Sequence, residues 1–141
     1  MDLLKPWLAA FGTWIAATVI AALATAGWVT GTQLESSVDV VLWVVVPQML
    51  VAGAAAAAAS YAHRRPFRDA VGRSALAGLG GVATLAVLQA AVNLMTSTVL
   101  WAVAVAFVAQ ACGGVLGWLF VSRGARHREH AELVAAGGYT A

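Results

Sequence analysis

Long stretches without a charged residue alternate with short charged segments along this chain. The uncharged runs cover residues 6–34 (29 residues), 40–62 (23 residues) and 74–122 (49 residues). A bilayer core about 30 Å thick takes about 20 helical residues, so the first two runs each fit one membrane-spanning helix. The third run fits two helices, and its polar cluster at residues 93–98 supplies the turn between them. The pattern predicts four spans, at residues 7–29, 40–62, 74–95 and 99–121.

Four spans with short connections predict an all-α fold. It is an integral membrane four-helix bundle whose neighbouring helices run antiparallel, up-down-up-down. Residues 1–141 then form a single transmembrane domain, and the longest part outside the membrane is the tail at residues 122–141. Small residues at positions 22–26 also resemble a signal-peptide cleavage site, which would remove the first span. An uncleaved first span is favoured, because it is long enough to cross the bilayer.

Basic residues fall on one side only of this topology. They precede the first span, separate the second from the third, and follow the fourth: Lys5, Arg64, Arg65, Arg68, Arg73, Arg123, Arg126 and Arg128. Basic residues in short loops stay on the cytoplasmic side, so both termini are predicted to be cytoplasmic, N-in and C-in. With 8 basic and 4 acidic residues the inner face carries a net charge of +4, and Glu35 and Asp39 give the outer face −2.

Aromatic residues bracket three of the four spans, as expected for rings that favour the headgroup level. The pairs are Trp7 and Trp28, Trp43 and Tyr61, and Trp101 and Trp118. The third span has no aromatic residue and is rich in small residues, which predicts that it is the most enclosed of the four. Residues 52–60 of the second span are small on every side, which predicts neighbours on more than one side.

Composition narrows the class of protein further. Charged residues make up 10% of the chain and hydrophobic residues 62%, whereas a soluble domain devotes roughly a quarter of its residues to charge. This excludes an ordinary water-soluble globule, a disordered chain and a highly basic nucleic-acid binder. Arginine outnumbers lysine seven to one in a chain with 33 alanines, which is typical of GC-rich bacterial genomes. The predicted location is the bacterial cytoplasmic (inner) membrane, as a multi-pass protein.

Small residues recur on one face of the fourth span. They are Ala102, Ala106, Ala109, Gly113 and Gly117. Helices in lipid associate where small side chains let two backbones approach, so this stripe is predicted to pack against another helix. In an alanine-rich chain such a stripe also arises by chance, and contact with another protein stays open. The same ambiguity holds for a faint repeat between residues 41–45 and 99–103, which indicates either a duplication or chance.

A few polar or helix-breaking residues lie within the predicted spans. Pro47 removes the hydrogen bond that would reach the carbonyl of Trp43, so a kink is predicted there. The candidate intramembrane polar cluster consists of Gln48, Gln89, Asn93 and Gln110. Two interpretations are open. The amides join the helices, at about 0.6 to 2 kcal/mol per contact, or they line a polar passage or a headgroup site.

Ionisable residues are missing from every predicted span. Such residues mark proton relays and ion pathways, so their absence disfavours coupled transport. The layout of four short helices resembles that of the small multidrug-resistance transporters. Their first-helix glutamate has no counterpart between Trp7 and Val29, so the resemblance is limited to the layout and carries no activity over to this chain.

Side chains suited to catalysis or metal binding form no recognisable motif. His127 and His130 lie three residues apart with Glu132 nearby, but the HExxH zinc pattern is missing. Ser60 and His63 lack an acidic partner and an oxyanion-hole loop. We therefore expect a protein that is not an enzyme and that has no metal or cofactor.

The favoured function is a non-catalytic accessory or assembly subunit of a larger membrane complex, packing through small-residue helix faces. The alternative is a small homo-oligomeric transporter, flippase or channel with a route lined by glutamine and asparagine, and the third is a holin-like protein. Expected partners are the lipid bilayer and either other membrane subunits or further copies of the chain. The arginines also suit anionic headgroups, and no nucleic-acid partner is expected.

Overall fold

The computed structural model describes residues 3–28, 37–62, 71–95 and 100–135. Within these ranges the regular structure is helical throughout. The second predicted span consists of three consecutive pieces: a short α2, a π-helical turn and α3. The elements are α1 (Leu4–Trp28), α2 (Ser37–Val40), the π turn (Val41–Val45), α3 (Val46–Ala62), α4 (Val71–Met95) and α5 (Leu100–Ala135).

Four helical stretches are long and apolar enough to cross a membrane. Each has 22 to 24 residues, and they run over Leu4–Gly27, Val41–Ala62, Ser74–Met95 and Val103–Gly124. The number of such helices agrees with the four spans predicted from the sequence. Of the predicted turn at residues 93–98, Asn93 belongs to α4, and residues 96–98 lie outside the described residues.

The fourth helix is longer than its predicted span. It has 36 residues and continues past position 121 to Ala135. At 1.5 Å per residue that is roughly 54 Å, well over the roughly 30 Å of a bilayer core. The added turns contain the charged residues of positions 123–132, so most of the predicted tail is a helical continuation of α5.

The helices pack into a bundle around α3 and α4. Both contact all three other membrane-length helices, and the most extensive interface joins α3 to α5, whereas α1 and α5 share almost none. This confirms that the second span has neighbours on several sides. The second, third and fourth spans, of 22 residues each, bury six residues apiece, whereas Leu4–Gly27 buries two. The prediction that the third span is the most enclosed is therefore not confirmed, because the second and fourth spans are enclosed to the same extent.

Small side chains fill the interior and large ones cover the outside. The core cluster consists of Ala52, Ala55, Ala56 and Val82, with Trp14 and Leu79 packed against it. Large apolar side chains such as those of Leu23 and Phe120 are at least 70% exposed. Contiguous apolar surface of this extent is rare on soluble monomers. It costs nothing against lipid tails, which are as apolar as leucine.

Burial is unevenly distributed along the helices. Apart from Val103, every described residue that is buried lies within residues 4–10, 49–62, 71–86 or 109–122. We call these segments the tight half. Four of its residues contact α4: Trp7, Ala10, Ser60 and Trp118. The loose half comprises the remaining membrane-length segments, residues 11–28, 37–48, 87–95 and 100–108. The candidate polar side chains lie close to the border between the two halves.

Candidate functional site: a glutamine cluster beside a close helix crossing

Three glutamines from three helices meet in the middle of the bundle. Gln110 of α5 is only 2% exposed. Its Nε2 donates hydrogen bonds to Oε1 of Gln48 on α3 and to Oε1 of Gln89 on α4, each with a nitrogen–oxygen distance of 2.7 Å. We call Gln48, Gln89 and Gln110 the glutamine cluster. It ties α3, α4 and α5 together through one nitrogen atom.

Hydrogen-bond accounting explains the orientation of the Gln110 amide. An amide nitrogen carries two hydrogens, and both are used here. The Oε1 atom of Gln110 is buried and has no hydrogen-bond partner within the described ranges. Turning the amide over would instead leave two buried N–H groups unpaired, and each buried unpaired group costs about 1 to 3 kcal/mol. The observed orientation satisfies the larger number of groups.

The cluster is closely surrounded by apolar side chains. The gap beside Gln110 is bounded by Trp14, Ala52, Val82 and Leu85, and it is too narrow to admit a water molecule. Asn93, the fourth predicted member, is half-buried one turn beyond Gln89 on α4 and lies outside the two amide bonds. At this level the three glutamine amides bind one another, and the gap beside them is closed to water.

A close crossing of α3 and α5 lies directly beside the cluster. A Cβ atom added to Gly113 would overlap the carbonyl oxygen of Met49 and lie 2.7 Å from its Cα atom. One added to Gly117 would overlap the carbonyl oxygen of Gly53 and lie 2.9 Å from its Cα atom. The two backbones therefore touch, and only glycine fits at these two positions of α5.

The rest of the small-residue stripe follows the same face of α5. Ala109 is buried and Ala106 is half-buried, whereas the side chain of Ala102 lies outside the described set. The two glycines of the stripe pack within this chain. They already contact the backbone of α3 and therefore do not form a surface for another protein.

Sequence reasoning missed a second set of glycines, on α4. A Cβ atom on Gly78 would lie 2.7 Å from Ser60 Oγ and 2.8 Å from Trp118 Cδ1, and one on Gly80 would lie 2.8 Å from Trp7 Cζ2. Trp7 also donates from Nε1 to the carbonyl oxygen of Leu76 at 3.3 Å. The available signal was the Gly-Leu-Gly-Gly sequence at residues 78–81, which provides room for indole rings on both sides of α4.

The backbone around Pro47 differs from a simple kink. Pro47 is the second residue of α3, and the π turn that contains Trp43 precedes it. A proline ring collides with the carbonyl four residues earlier, which here belongs to Trp43. The irregularity therefore lies in the turn before the proline, where hydrogen bonds span five residues instead of four.

The predicted basic face is described only in part. Arg123 is exposed on α5. Arg73, Arg126 and Arg128 belong to described helices, but their side chains lie outside the described set, as do residues 64–68 entirely. No shared anion site can therefore be defined from them. Among the described residues no three His, Cys, Asp or Glu side chains come together as metal ligands would.

Comparison with known proteins gives no family for this chain. No protein-family model matches it, and no curated protein or solved structure shows significant similarity. The fold and the site define it only as a four-span, apolar helical bundle. Its function must therefore be argued from its own side chains.

Proposed function

We propose that the chain is a non-catalytic accessory or assembly subunit of a larger complex in the bacterial cytoplasmic membrane. The observation that carries this proposal is the closed state of the glutamine cluster. Three of the four candidate polar side chains, those of the glutamine cluster, are engaged with one another, and the gap beside Gln110 admits no water. A bundle whose polar groups are used internally is suited to packing.

We infer an antiparallel topology with both termini in the cytoplasm. Residues Gln89, Val82 and Gly78 of α4 meet residues 110, 114 and 118 of α5 in reverse order, which supports opposite directions for these helices. Met49 and Gly53 meet Gly113 and Gly117 in the same order, which supports a common direction for α3 and α5. The arginine distribution then puts the tight half at the cytoplasmic side.

The outer surface of the bundle supports an assembly role. Only two described residues of α1, Pro6 and Ala10, are buried. Its exposed side chains include Ile15, Ile20 and Leu23. Such a surface suits lipid and equally suits the helices of another subunit. Arginines at the cytoplasmic side would attract anionic headgroups at about 1 kcal/mol each. That attraction would hold the bundle at a fixed depth for assembly.

Purification from native membranes tests the proposal. The tagged chain, extracted in mild detergent and examined by native mass spectrometry, is expected to carry a partner at a fixed stoichiometry. Leu23→Trp on α1 and Leu116→Trp on α5 are matched changes at exposed positions. The partner should be lost from one variant and kept by the other, which identifies the docking face. A lone monomer under all extraction conditions would contradict the proposal.

The second candidate is a small transporter, flippase or channel, and one observation favours it. Gln48, Gln89 and Gln110 converge as a polar route requires, and Gln110 Oε1 is left without a described partner. Proteoliposomes that contain the chain should then show flux of ions or labelled lipids that falls with Gln110→Leu. Flux equal to that of empty liposomes would exclude this candidate and leave the accessory role. A holin-like protein would instead lyse cells on expression.

A further inference from the structure

The last helix leaves the apolar part of the bundle without a break. The apolar window of α5 ends at Gly124, and the helix itself ends at Ala135. At a rise of 1.5 Å per residue this continuation is roughly 16 Å long. Because the helix is uninterrupted, the register of its well-packed part also determines which residues of the continuation share a face.

Within the membrane, one side of α5 faces away from the bundle. Leu116 and Phe120 are 57% and 77% exposed, whereas Gly113 and Gly117 contact the backbone of α3. In a bilayer the exposed side meets the lipid chains. We call the side that carries Leu116 and Phe120 the lipid-facing side of α5.

The lipid-facing side becomes basic where the apolar window ends. Arg123 is exposed, and it follows Leu116 by seven residues, which is about two helical turns. Arg126 follows Gly117 by nine residues, or about two and a half turns, so it lies on the side of α5 opposite to the α3 contact. Both arginines therefore belong to the side of α5 that is directed at lipid.

The other charged residues of the continuation have different positions. Arg128 follows Gly117 by eleven residues, or about three turns, and so returns to the side of the bundle. Glu132 is nine residues after Arg123 and lies opposite to it. Glu129 is close to Arg126 in register, but it is three residues farther from the end of the apolar window. Arg123 and Arg126 are thus the basic residues that lipid headgroups meet first.

The depth of the two arginines matches the headgroup layer. This layer is roughly 5 to 7 Å deep on each side of the hydrocarbon core. Arg123 belongs to the last turn of the apolar window, and Arg126 is two residues, or roughly 3 Å, past Gly124. An acidic segment of a protein would have to displace lipid from this position, whereas the phosphate of a lipid is already there.

We propose that Arg123 and Arg126 form a site for the phosphate group of an anionic phospholipid at the lipid-facing side of α5. The site gives the headgroup attraction of the arginines a definite place on the molecule. It does not depend on a partner subunit, so it holds or fails separately from the accessory role. Each arginine close to an anionic surface contributes about fivefold to binding.

Fluorescence quenching by brominated lipids can measure this preference in the full chain. Cys112 is the single cysteine, so a Cys112→Ser background accepts one fluorescent label. Phe120→Cys places the label one turn before Arg123, and Leu88→Cys on α4, where the native residue is 58% exposed, is the reference position. The purified chain is reconstituted in phosphatidylcholine liposomes. Acyl-brominated phosphatidylglycerol or acyl-brominated phosphatidylcholine is then added, and the ratio of their quenching constants gives the lipid preference at each label.

The native chain is expected to prefer phosphatidylglycerol at least fivefold at position 120 and to show a ratio near one at position 88. Arg126→Gln and Arg128→Gln are the matched variants, because they remove the same charge from opposite sides of one helix. Arg126→Gln should lower the preference several-fold, and Arg128→Gln should leave it unchanged. Equal effects of the two variants would overturn the proposal. A native ratio near one at position 120 would also overturn it and would leave this side of α5 open to an acidic protein segment.

Two further measurements separate charge from structure and lipid from soluble anions. Arg126→Lys keeps the positive charge, so the preference should be retained, and a loss equal to that of Arg126→Gln would contradict a headgroup site based on charge. Inorganic phosphate added to the native chain should leave the preference unchanged. If it abolishes the preference, the arginines bind a soluble anion and the assignment to a lipid is wrong.

Discussion

The tight half and the loose half belong to the same helices, yet only the tight half is closely packed. Residues 52–59 of the second span are seven alanines and one glycine, whereas residues 40–46 of the same span are valine, leucine and tryptophan. Four of residues 52–59 are buried and one is exposed, whereas none of residues 41–46 is buried. Side-chain size separates the two halves better than hydrophobicity does.

This difference reflects the solvent. In water a large apolar side chain gains free energy by leaving the solvent, so leucine and valine fill protein cores. In lipid that gain disappears, and helices associate where their backbones can approach closely. The contact of Gly113 and Gly117 with the α3 backbone is such an approach. The loose half lacks glycine pairs of this kind in the parts that the structure describes.

The largest predicted effect is the loss of the α3–α5 crossing. Gly113→Leu places a side chain where the Met49 backbone lies, and a backbone cannot move aside as a flexible side chain can. Overpacking typically costs 1–3 kcal/mol and occasionally more, so we expect about 3 kcal/mol or more. The measurement is the unfolding midpoint in mixed detergent micelles, followed by circular dichroism.

Gly12→Leu is the matched control, because an added Cβ at Gly12 on α1 has no atom within 4 Å. It removes a helical glycine and makes the same change in size, so it should be neutral or slightly stabilising. Equal midpoints for Gly113→Leu and Gly12→Leu would mean that the crossing does not limit stability.

The sequence predicts the spans better than it predicts their contacts. Three uncharged runs with room for four spans are visible, because lipid requires an unbroken apolar surface of fixed length. The partner of Gly113 could not be read in the same way, since alanine and glycine occur on most faces and the contact depends on how each helix is rotated. The π turn was also missed, because Pro47 indicates where a helix is interrupted but not how the interruption is accommodated.

The next largest effect is a difference in the loss of stability between two leucine-to-alanine variants of α4. Leu85 of α4 is 7% exposed and lies in the tight half, whereas Leu94 is 55% exposed and lies in the loose half. Leu85→Ala opens a cavity among fixed neighbours and should cost about 2 kcal/mol or more. Leu94→Ala leaves a space that lipid or detergent fills, so about 0.5 kcal/mol or less is expected. Similar costs for both leucines would show that the loose half is packed as firmly as the tight half.

A smaller effect is expected at Gly78. Its added Cβ would approach the side chains of Ser60 and Trp118, both of which can shift, and no backbone atom is among its three nearest contacts. Gly78→Ala should therefore cost about 1–2 kcal/mol, within the usual range for overpacking. Because Trp118 must move, its fluorescence should also change. Gly72→Ala on the same helix meets open space, and a midpoint as low as that of Gly78→Ala would contradict the packing around Trp118.

The smallest effect concerns the glutamine cluster at the border between the halves. Gln110→Leu removes two interhelical hydrogen bonds, which average about 0.6 kcal/mol each in membranes. It also removes the buried Oε1 atom that has no described partner, and this partly offsets the loss. We expect a net cost of about 1 kcal/mol, compared with about 0.6 kcal/mol for Gln89→Leu, which removes one bond. If Gln110→Leu instead stabilises the bundle, the unpaired oxygen outweighs both bonds. The cluster would then be retained for a purpose other than stability, which would favour the polar-route candidate over the accessory role.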